Sequence, residues 1–236
     1  MRILITAGGT SENIDSVRKI TNSSSGRLGA IIAERLMEDG HELIYVHGKG
    51  AKLPEGEYEK HPIIGVRDLQ KTMKEILTTQ KINVVIHAMA VSDYFVDYVT
   101  TPTLAAKDYA EADNGIYERM LAGRYRLDNS QKLSSDEEAL LIMLKKSPKI
   151  ISEIKTYAPD VRLIGFKLLS GATYEELEAA ALKQIKTSGS DLVVANDIRY
   201  IDDKQHFAWF ANRDGFKGLA TTKEGIAAWL SWYLER

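Results

Sequence analysis

Two short stretches near the start of the chain carry the groups best suited to holding a charged ligand. An apolar run, Ile3 to Thr6, ends in Gly8-Gly9-Thr10, and a polar detour then closes on Asn22-Ser23-Ser24-Ser25-Gly26. Glycine lets a backbone approach a ligand closely. Hydroxyls and an amide just before a helix starting near Arg27 would meet that helix's free N–H groups and partial positive charge. Such a start attracts anions, so phosphate or carboxylate is the expected ligand of Gly8, Gly9, Thr10, Ser23, Ser24 and Gly26. One serine would suffice to cap the helix, and three serines with Asn22 exceed that need.

Other chemistries lack their residues. A dinucleotide site needs G-x-G-x-x-G and an acidic residue after the second strand, whereas this chain has Gly8-Gly9-Thr10 and Tyr45-Val46-His47-Gly48. The Tyr45/Lys49 pair straddles a strand end, where the two side chains do not share a face. No Walker-type G-x-x-x-x-G-K-[ST] is present. His41, His47, His61, His87 and His206 have no i, i+4 partner for a metal and are expected to be structural or exposed. Without cysteine, thiolate ligands, disulfides and a thiol nucleophile are excluded.

The elements that must position these residues follow from hydrophobic periodicity. Ile3–Thr6, Leu43–Val46, Val84–Ala88, Leu163–Phe166 and Leu192–Ala195 are short continuous apolar runs, as expected of parallel strands buried on both faces. Helical stripes lie between or after them, at Leu28/Ile31/Ile32/Leu36, Leu69/Met73/Ile76/Leu77, Leu177/Ala181/Ile185 and Ile226/Leu230/Tyr233. The fold class is α/β, a Rossmann-like, mostly parallel sheet flanked by helices, formed as one domain over residues 1–236. Residues 95–135 have little periodicity and several turn signals, so a long flap made mostly of loop is expected there. Asp214-Gly215 between apolar runs predicts a C-terminal β-hairpin at about 205–220, its aromatics serving the core or a subunit contact. A net charge of −2 offers no footprint for nucleic acid, and no run approaches a membrane span, so a cytoplasmic protein is expected.

At Ala7-Gly8-Gly9-Thr10, then Ile14-Asp15, Val17-Arg18, Ile20-Thr21-Asn22 and Ser24-Ser25-Gly26, the chain resembles phosphopantothenoylcysteine synthetase, also called phosphopantothenate-cysteine ligase. Further stretches resemble the family in the same order. They are Ala88-Met89-Ala90-Val91-Ser92-Asp93, the lysine-bearing flap at Lys132-Leu133-Ser134-Ser135, Ile164-Gly165-Phe166, and Asp191 to Asp197. The flavin-dependent decarboxylase fused to many bacterial members does not precede these motifs, so a stand-alone form is expected.

The resemblance implies an amide-forming ligase of coenzyme A biosynthesis. The carboxylate of 4′-phosphopantothenate attacks the α-phosphate of CTP, or of ATP in eukaryotic members, and the amine of L-cysteine then displaces the nucleotide. Asn22 would hold the acyl intermediate and stabilise the oxyanion, and Lys132 would face the α-phosphate. Arg18 would steady that region or bind an anionic group, or else make a surface salt bridge. His87, Ala88, Met89, Asp93, Pro148, Lys149, Ile150, Ile151 and Phe166 match nucleotide-pocket positions, while Asn196 and Asp197 could equally be turn formers. Mg²⁺ is expected on the nucleotide phosphates, with few protein ligands. The family also implies a homodimer, with the hairpin near Trp209 as the candidate contact. The chain departs from fused members at Ser134-Ser135, at Gly165-Phe166-Lys167-Leu168 and in its long 93–132 connection. Lysines expected before the last parallel strand fall only approximately at Lys183 and Lys186. These departures leave the base open, with CTP favoured. A non-catalytic binder of phosphopantothenate or nucleotide is the alternative function.

Overall fold

Residues 1–110, 116–136 and 138–236 are described by a computed structural model. The chain opens with β1 (Arg2–Ala7), whose Ile3, Leu4 and Ile5 are wholly buried because both faces of the strand are covered. The polar detour is a small hairpin, β2 (Ser11–Asn13) and β3 (Lys19–Thr21), standing outside the main sheet. Then α1 (Arg27–Glu38) crosses back to β4 (Glu42–Gly48), and β5 (Glu59–Ile63) and α2 (Val66–Thr79) follow. β6 (Val84–His87) returns to the other side of β1.

The segment expected to be mostly loop is instead structured along much of its length. β7 (Tyr94–Thr100) is followed by α3 (Pro102–Ala110) and α4 (Ile116–Ala122), and β8 (Leu141–Lys146) pairs antiparallel with β7. Among the described residues, the irregular part lies at 123–136 and 138–140. Neither strand shows strong local periodicity because each finds its partner some forty residues away, and β-propensity depends on such partners. The parallel order resumes with α5 (Ile150–Tyr157), β9 (Arg162–Leu169), α6 (Tyr174–Ser188) and β10 (Leu192–Asp197). A short 3₁₀ turn, Ile198–Tyr200, leads to the hairpin β11 (Ala208–Asn212) and β12 (Gly215–Ala220), and α7 (Lys223–Leu234) ends the fold.

The main sheet has eight strands in the order β12-β11-β10-β9-β6-β1-β4-β5. All neighbours from β10 to β5 run parallel, and β11 and β12 extend the edge in antiparallel fashion. This is the α/β architecture expected from the apolar runs. β5 escapes that pattern because Glu59-Lys60-His61-Pro62 is a polar edge strand, where proline is tolerated.

Helices cover both faces. Ile3 and Ile5 pack with Ile32 and Leu36 of α1 and with Ile226 and Leu230 of α7, while Leu4 packs with Leu69 and Met73 of α2 and Ile154 of α5. Each such side chain contributes about 1.5–3 kcal/mol on full burial. α6 is fixed at its start by a capping box, Thr173 with Glu176, and ends on Gly189 in the left-handed conformation. Phe210 of the hairpin is wholly buried and stacks on Trp229 of α7 at 3.8 Å between centroids and 7° between planes. No helix among the described residues is long and apolar enough to cross a membrane.

Candidate active site

The chain turns outward from β1 first toward β4 and β5, then toward β6, β9 and β10. The carboxyl ends of β1 and β6 therefore border a topological switch point, where open α/β sheets bind ligands. A cavity of about 530 Å³ opens there, lined by residues 23–29, 87–93, 148–151 and 166–168. Ala7, Gln184, Asn196, Ile198, Ile201, His206 and Lys223 complete its wall.

The α1 end of the cavity is built by backbone. Gly26 is the N-cap, in the left-handed region at φ 70°, and no side chain caps the helix. A Cβ at this position would also lie 2.9 Å from Ala51 Cβ, so both conformation and space require glycine. The serines of 23–25 thus do not consume the first-turn N–H groups, apart from a 3.4 Å contact from Arg27 N–H to Ser25 Oγ. Those donors remain available to an anion.

Gly8, Gly9 and Thr10 turn out to organise the loop without lining the cavity. Gly8, at φ 81°, packs against the turn at 48–51. Gly9 abuts the Asn22 carbonyl so closely that an added Cβ would overlap its oxygen. Thr10 is buried, its carbonyl accepts from Asn22 N–H at 3.2 Å, and its Oγ1 accepts from Ser92 N–H at 2.9 Å. These groups hold the Asn22 main chain against the loop after β6, which explains why three residues that read as ligand donors face protein. The half-buried Asn22 amide has no hydrogen-bond partner among the described residues, and its neighbour Ser23 forms the rim of the cavity.

Arg18 forms an ion pair, with no place on the cavity wall. Its Nε and Nη2 donate to Asp15 Oδ2 at 2.9 and 2.6 Å, and Nη2 also donates to the Leu133 carbonyl at 3.3 Å. Asp15, 2% exposed, additionally accepts from the N–H groups of Val17, Arg18 and Leu133. The Arg18 guanidinium, with these N–H donors, holds the Asp15 carboxyl far below the usual carboxylate range. The result is a clasp between the β2–β3 hairpin and the flap, reinforced by Asn129 Nδ2 donating to the Ile14 carbonyl at 3.1 Å. Lys132, next to the clasped Leu133, is exposed and outside the cavity.

Of the expected nucleotide positions, residues 87–89, Asp93, 148–151 and Phe166 do converge on the cavity. His87 is buried, shares a 2.8 Å hydrogen bond between Nδ1 and Thr6 Oγ1, and is pushed down to about 4 by burial, so it is neutral near pH 7. Lys149 Nζ donates to Asp93 Oδ1 across the mouth. Lys183 does not reach the cavity: it is exposed on α6, and the next residue, Gln184, lines the wall and donates to the Phe166 carbonyl at 3.3 Å. Asp197 forms a turn, accepting from Ala172 N–H and from Arg199, whose guanidinium holds its carboxyl down to about 2. No local pattern singles out Lys223 or His206 as wall residues, since both come from segments beyond β10 that the packing of α7 brings near.

The chain matches the DNA/pantothenate metabolism flavoprotein C-terminal domain over residues 1–113 and 123–231. It belongs to that family. Among its relatives, the coenzyme A biosynthesis bifunctional protein CoaBC of Thermococcus kodakarensis is 34% identical over 227 residues, which is 96% of this chain and 49% of the relative. The chain thus spans about half the length of that relative. The crystal structure of the DNA/pantothenate metabolism flavoprotein from Streptococcus pneumoniae is 38% identical, with TM-score 0.87 over 100% of this chain and 98% of that one. A likeness of fold alone extends to a Cab2 H337A mutant in complex with phosphopantothenate-cysteine, at 20% identity and TM-score 0.65 over 99% of this chain and 88% of that one. Among the described residues, the switch-point cavity is the feature best shaped for a small ligand. It lies within the usual 300–1,000 Å³ range of small-molecule sites.

Proposed function

We propose that the chain is a phosphopantothenate-cysteine ligase. It would join 4′-phosphopantothenate to L-cysteine through an acyl-nucleotide, with CTP as the nucleotide, in the cytoplasmic synthesis of coenzyme A. The observation carrying this reading is the uncapped start of α1 opening into a switch-point cavity whose wall begins at Ser23, the residue next to the unpartnered Asn22 amide. The CoaBC relative, named for coenzyme A biosynthesis, supports it.

In the first step a substrate carboxylate oxygen attacks the α-phosphorus. The bond to the bridging oxygen of the β-phosphate breaks, and pyrophosphate leaves with the electron pair. In the second step the amine attacks the acyl carbon and gives up a proton to solvent, the C–O bond to the nucleotide breaks, and the nucleotide monophosphate leaves. Both steps place negative charge on oxygen, which positioned donors stabilise better than water does. Ser23, Ser24 and the first turn of α1 bind phosphate or carboxylate oxygens, and the Asn22 amide donates to the oxyanion. Lys132, a point charge on the flap, faces the α-phosphate once the flap or a second copy presents it. Arg18 acts through the Asp15 clasp, steadying that flap. The loop at 87–89, Asp93, 148–151 and Phe166 hold the nucleoside.

Mg²⁺ fits the donor set only as a companion of the nucleotide. No cluster of three metal-ligating side chains occurs among the described residues, and Asp93 is the one carboxylate on the cavity wall. Bound there, it would neutralise phosphate charge. The working unit is a homodimer, with the hairpin around the half-buried Trp209 as the contact.

Incubation with phosphopantothenate, cysteine, Mg²⁺ and either CTP or ATP should release pyrophosphate and form the amide, faster with CTP. Absence of both products with both nucleotides would overturn the proposal, and ligand binding without turnover would favour the non-catalytic alternative. Asn22→Ala should let the acyl-nucleotide accumulate, and Lys132→Ala should suppress its formation. Wild-type turnover in both variants would sink the residue assignment.

A further inference from the structure

The cavity wall is unbalanced in charge: Arg27, Lys149, Lys167 and Lys223 face a single carboxylate, Asp93, which is already paired with Lys149. The excess lies at two ends. Arg27 belongs to the α1 start beside β1, whereas Lys167 sits on β9 and Lys223 opens α7 beyond β10. Three inter-strand steps separate β1 from β10, about 14 Å at ordinary sheet spacing. One phosphate group cannot touch both ends.

At the β10 end, three observations converge. Lys167 has no ion-pair partner among the described residues. Among the described residues Lys223 makes no ion pair within 4 Å; its Nζ donates to the neutral Asp202 carbonyl at 3.1 Å, with the Asp202 carboxylate in electrostatic range. The nearby Asp202 carboxylate is engaged by the N–H groups of Lys204 and Gln205 and does not line the cavity. His206 is 8% exposed, lines the cavity, and its Nδ1 has no hydrogen-bond partner. A buried polar atom without a partner costs about 1–3 kcal/mol, which a ligand atom would recover. Burial, and then Lys223, push His206 down to about 4, so it stands as a neutral imidazole that can donate one hydrogen bond without adding charge.

We propose that Lys167, Lys223 and His206 form a second phosphate subsite, separate from the α1 start, that binds phosphoryl oxygens of a reactant spanning the cavity. Thr222 caps α7 through Gly225 N–H, which fixes the helix start that carries Lys223. Under the proposed function two reactants carry such oxygens: the nucleoside triphosphate, through the two phosphates that leave as pyrophosphate, and phosphopantothenate, through its own phosphate. Lysines on α6 are not needed for this charge, in keeping with the exposed position of Lys183. The identity of the reactants rests on the proposed function, but the subsite itself is a claim about binding.

Isothermal titration of the full chain with inorganic pyrophosphate and, separately, with phosphopantothenate tests the subsite without requiring turnover. The Lys167→Gln/Lys223→Gln double variant should lose at least tenfold in affinity for one of the two probes. His206→Leu should weaken the same probe, while His206→Asn, which keeps a donor near the Nδ1 position, should restore most of the loss. Loss confined to pyrophosphate assigns the subsite to the departing phosphates, and loss confined to phosphopantothenate assigns it to the substrate phosphate. Wild-type affinity for both probes in a double variant of unchanged melting temperature would overturn the proposal, as would failure of the wild type to bind either. A protein that binds as described yet forms no amide would leave the subsite standing and remove the ligase reading.

Discussion

Gly9→Ala isolates the positioning of Asn22 from its chemistry, because the substitution touches neither the amide nor the cavity wall. Gly9 does not have a positive φ, so alanine brings no backbone strain at this residue, only volume. Its Cβ would fall on the Asn22 carbonyl oxygen, whereas real Cβ atoms keep at least 3.0 Å from such a neighbour. The two segments must part by roughly 1 Å, an overpacking that costs about 1–3 kcal/mol of stability. Thr10 O would be drawn off Asn22 N–H, now at 3.2 Å, and the amide would shift with its main chain. A displacement of this size can cost about 100-fold in rate, equivalent to about 2.7 kcal/mol of transition-state stabilisation. The fall should appear in kcat for pyrophosphate release and amide formation, with CTP affinity by calorimetry little altered. Gly40→Ala is the control: Gly40 has φ 82° and open space around it, so alanine should lower stability through strain alone and leave turnover intact. Turnover of Gly9→Ala within threefold of wild type, in a protein that melts cooperatively, would refute the argument that main-chain contact sets the amide.

Asp15→Asn should loosen the flap from the hairpin and increase proteolysis between 123 and 140. Because the Asp15 carboxyl is depressed in the folded state, its contribution is present above about pH 4 and declines as pH falls below it. The melting-temperature gap between variant and wild type should therefore be full at pH 7 and narrow at pH 3, and a pH-independent gap would contradict the clasp. His87 acts in a different window. Its folded value of about 4 lies below the ordinary 6.5, so the unfolded chain takes up the proton first and stability drops as pH falls from about 6.5 to 4, by on the order of 3 kcal/mol. In urea titrations His87→Asn, which retains an acceptor for Thr6, should flatten that slope; an unchanged slope would place the effect elsewhere. Phe210→Ala should cost about 3–5 kcal/mol in urea by emptying the stack on Trp229, and a loss below about 1 kcal/mol would show that the hairpin is only loosely joined to the core.

Much of the architecture was legible because it rests on short-range signals. Five apolar runs marked the parallel strands, and the stripes at Leu69/Met73/Ile76 and Leu177/Ala181/Ile185 marked helices whose buried faces contain those residues. Asp214-Gly215 marked the β11–β12 turn. β7 and β8 were missed because antiparallel pairing across some forty residues leaves little trace in either strand alone. The site was legible to a different depth. The uncapped helix at Gly26 and the convergence of 87–93, 148–151 and Phe166 follow from loops at the ends of adjacent strands, which motif order can identify. Gly8, Gly9 and Thr10 have the composition of ligand donors, yet they spend their small size and hydrogen bonds on neighbouring main chain.

The amino-acid sequence by itself determined that an α/β sheet would carry a glycine- and serine-rich loop at the end of its first strand, since periodicity and glycine placement are local properties of the chain. Only the tertiary structure decided which charges meet. Arg18 is bound to Asp15 and Leu133, Gln184 lines the wall where Lys183 does not, and Lys167, Lys223 and His206 are gathered from three separate segments. The physical reason is that a side chain's burial and electrostatic environment are set by neighbours distant in the chain, and no local pattern records them.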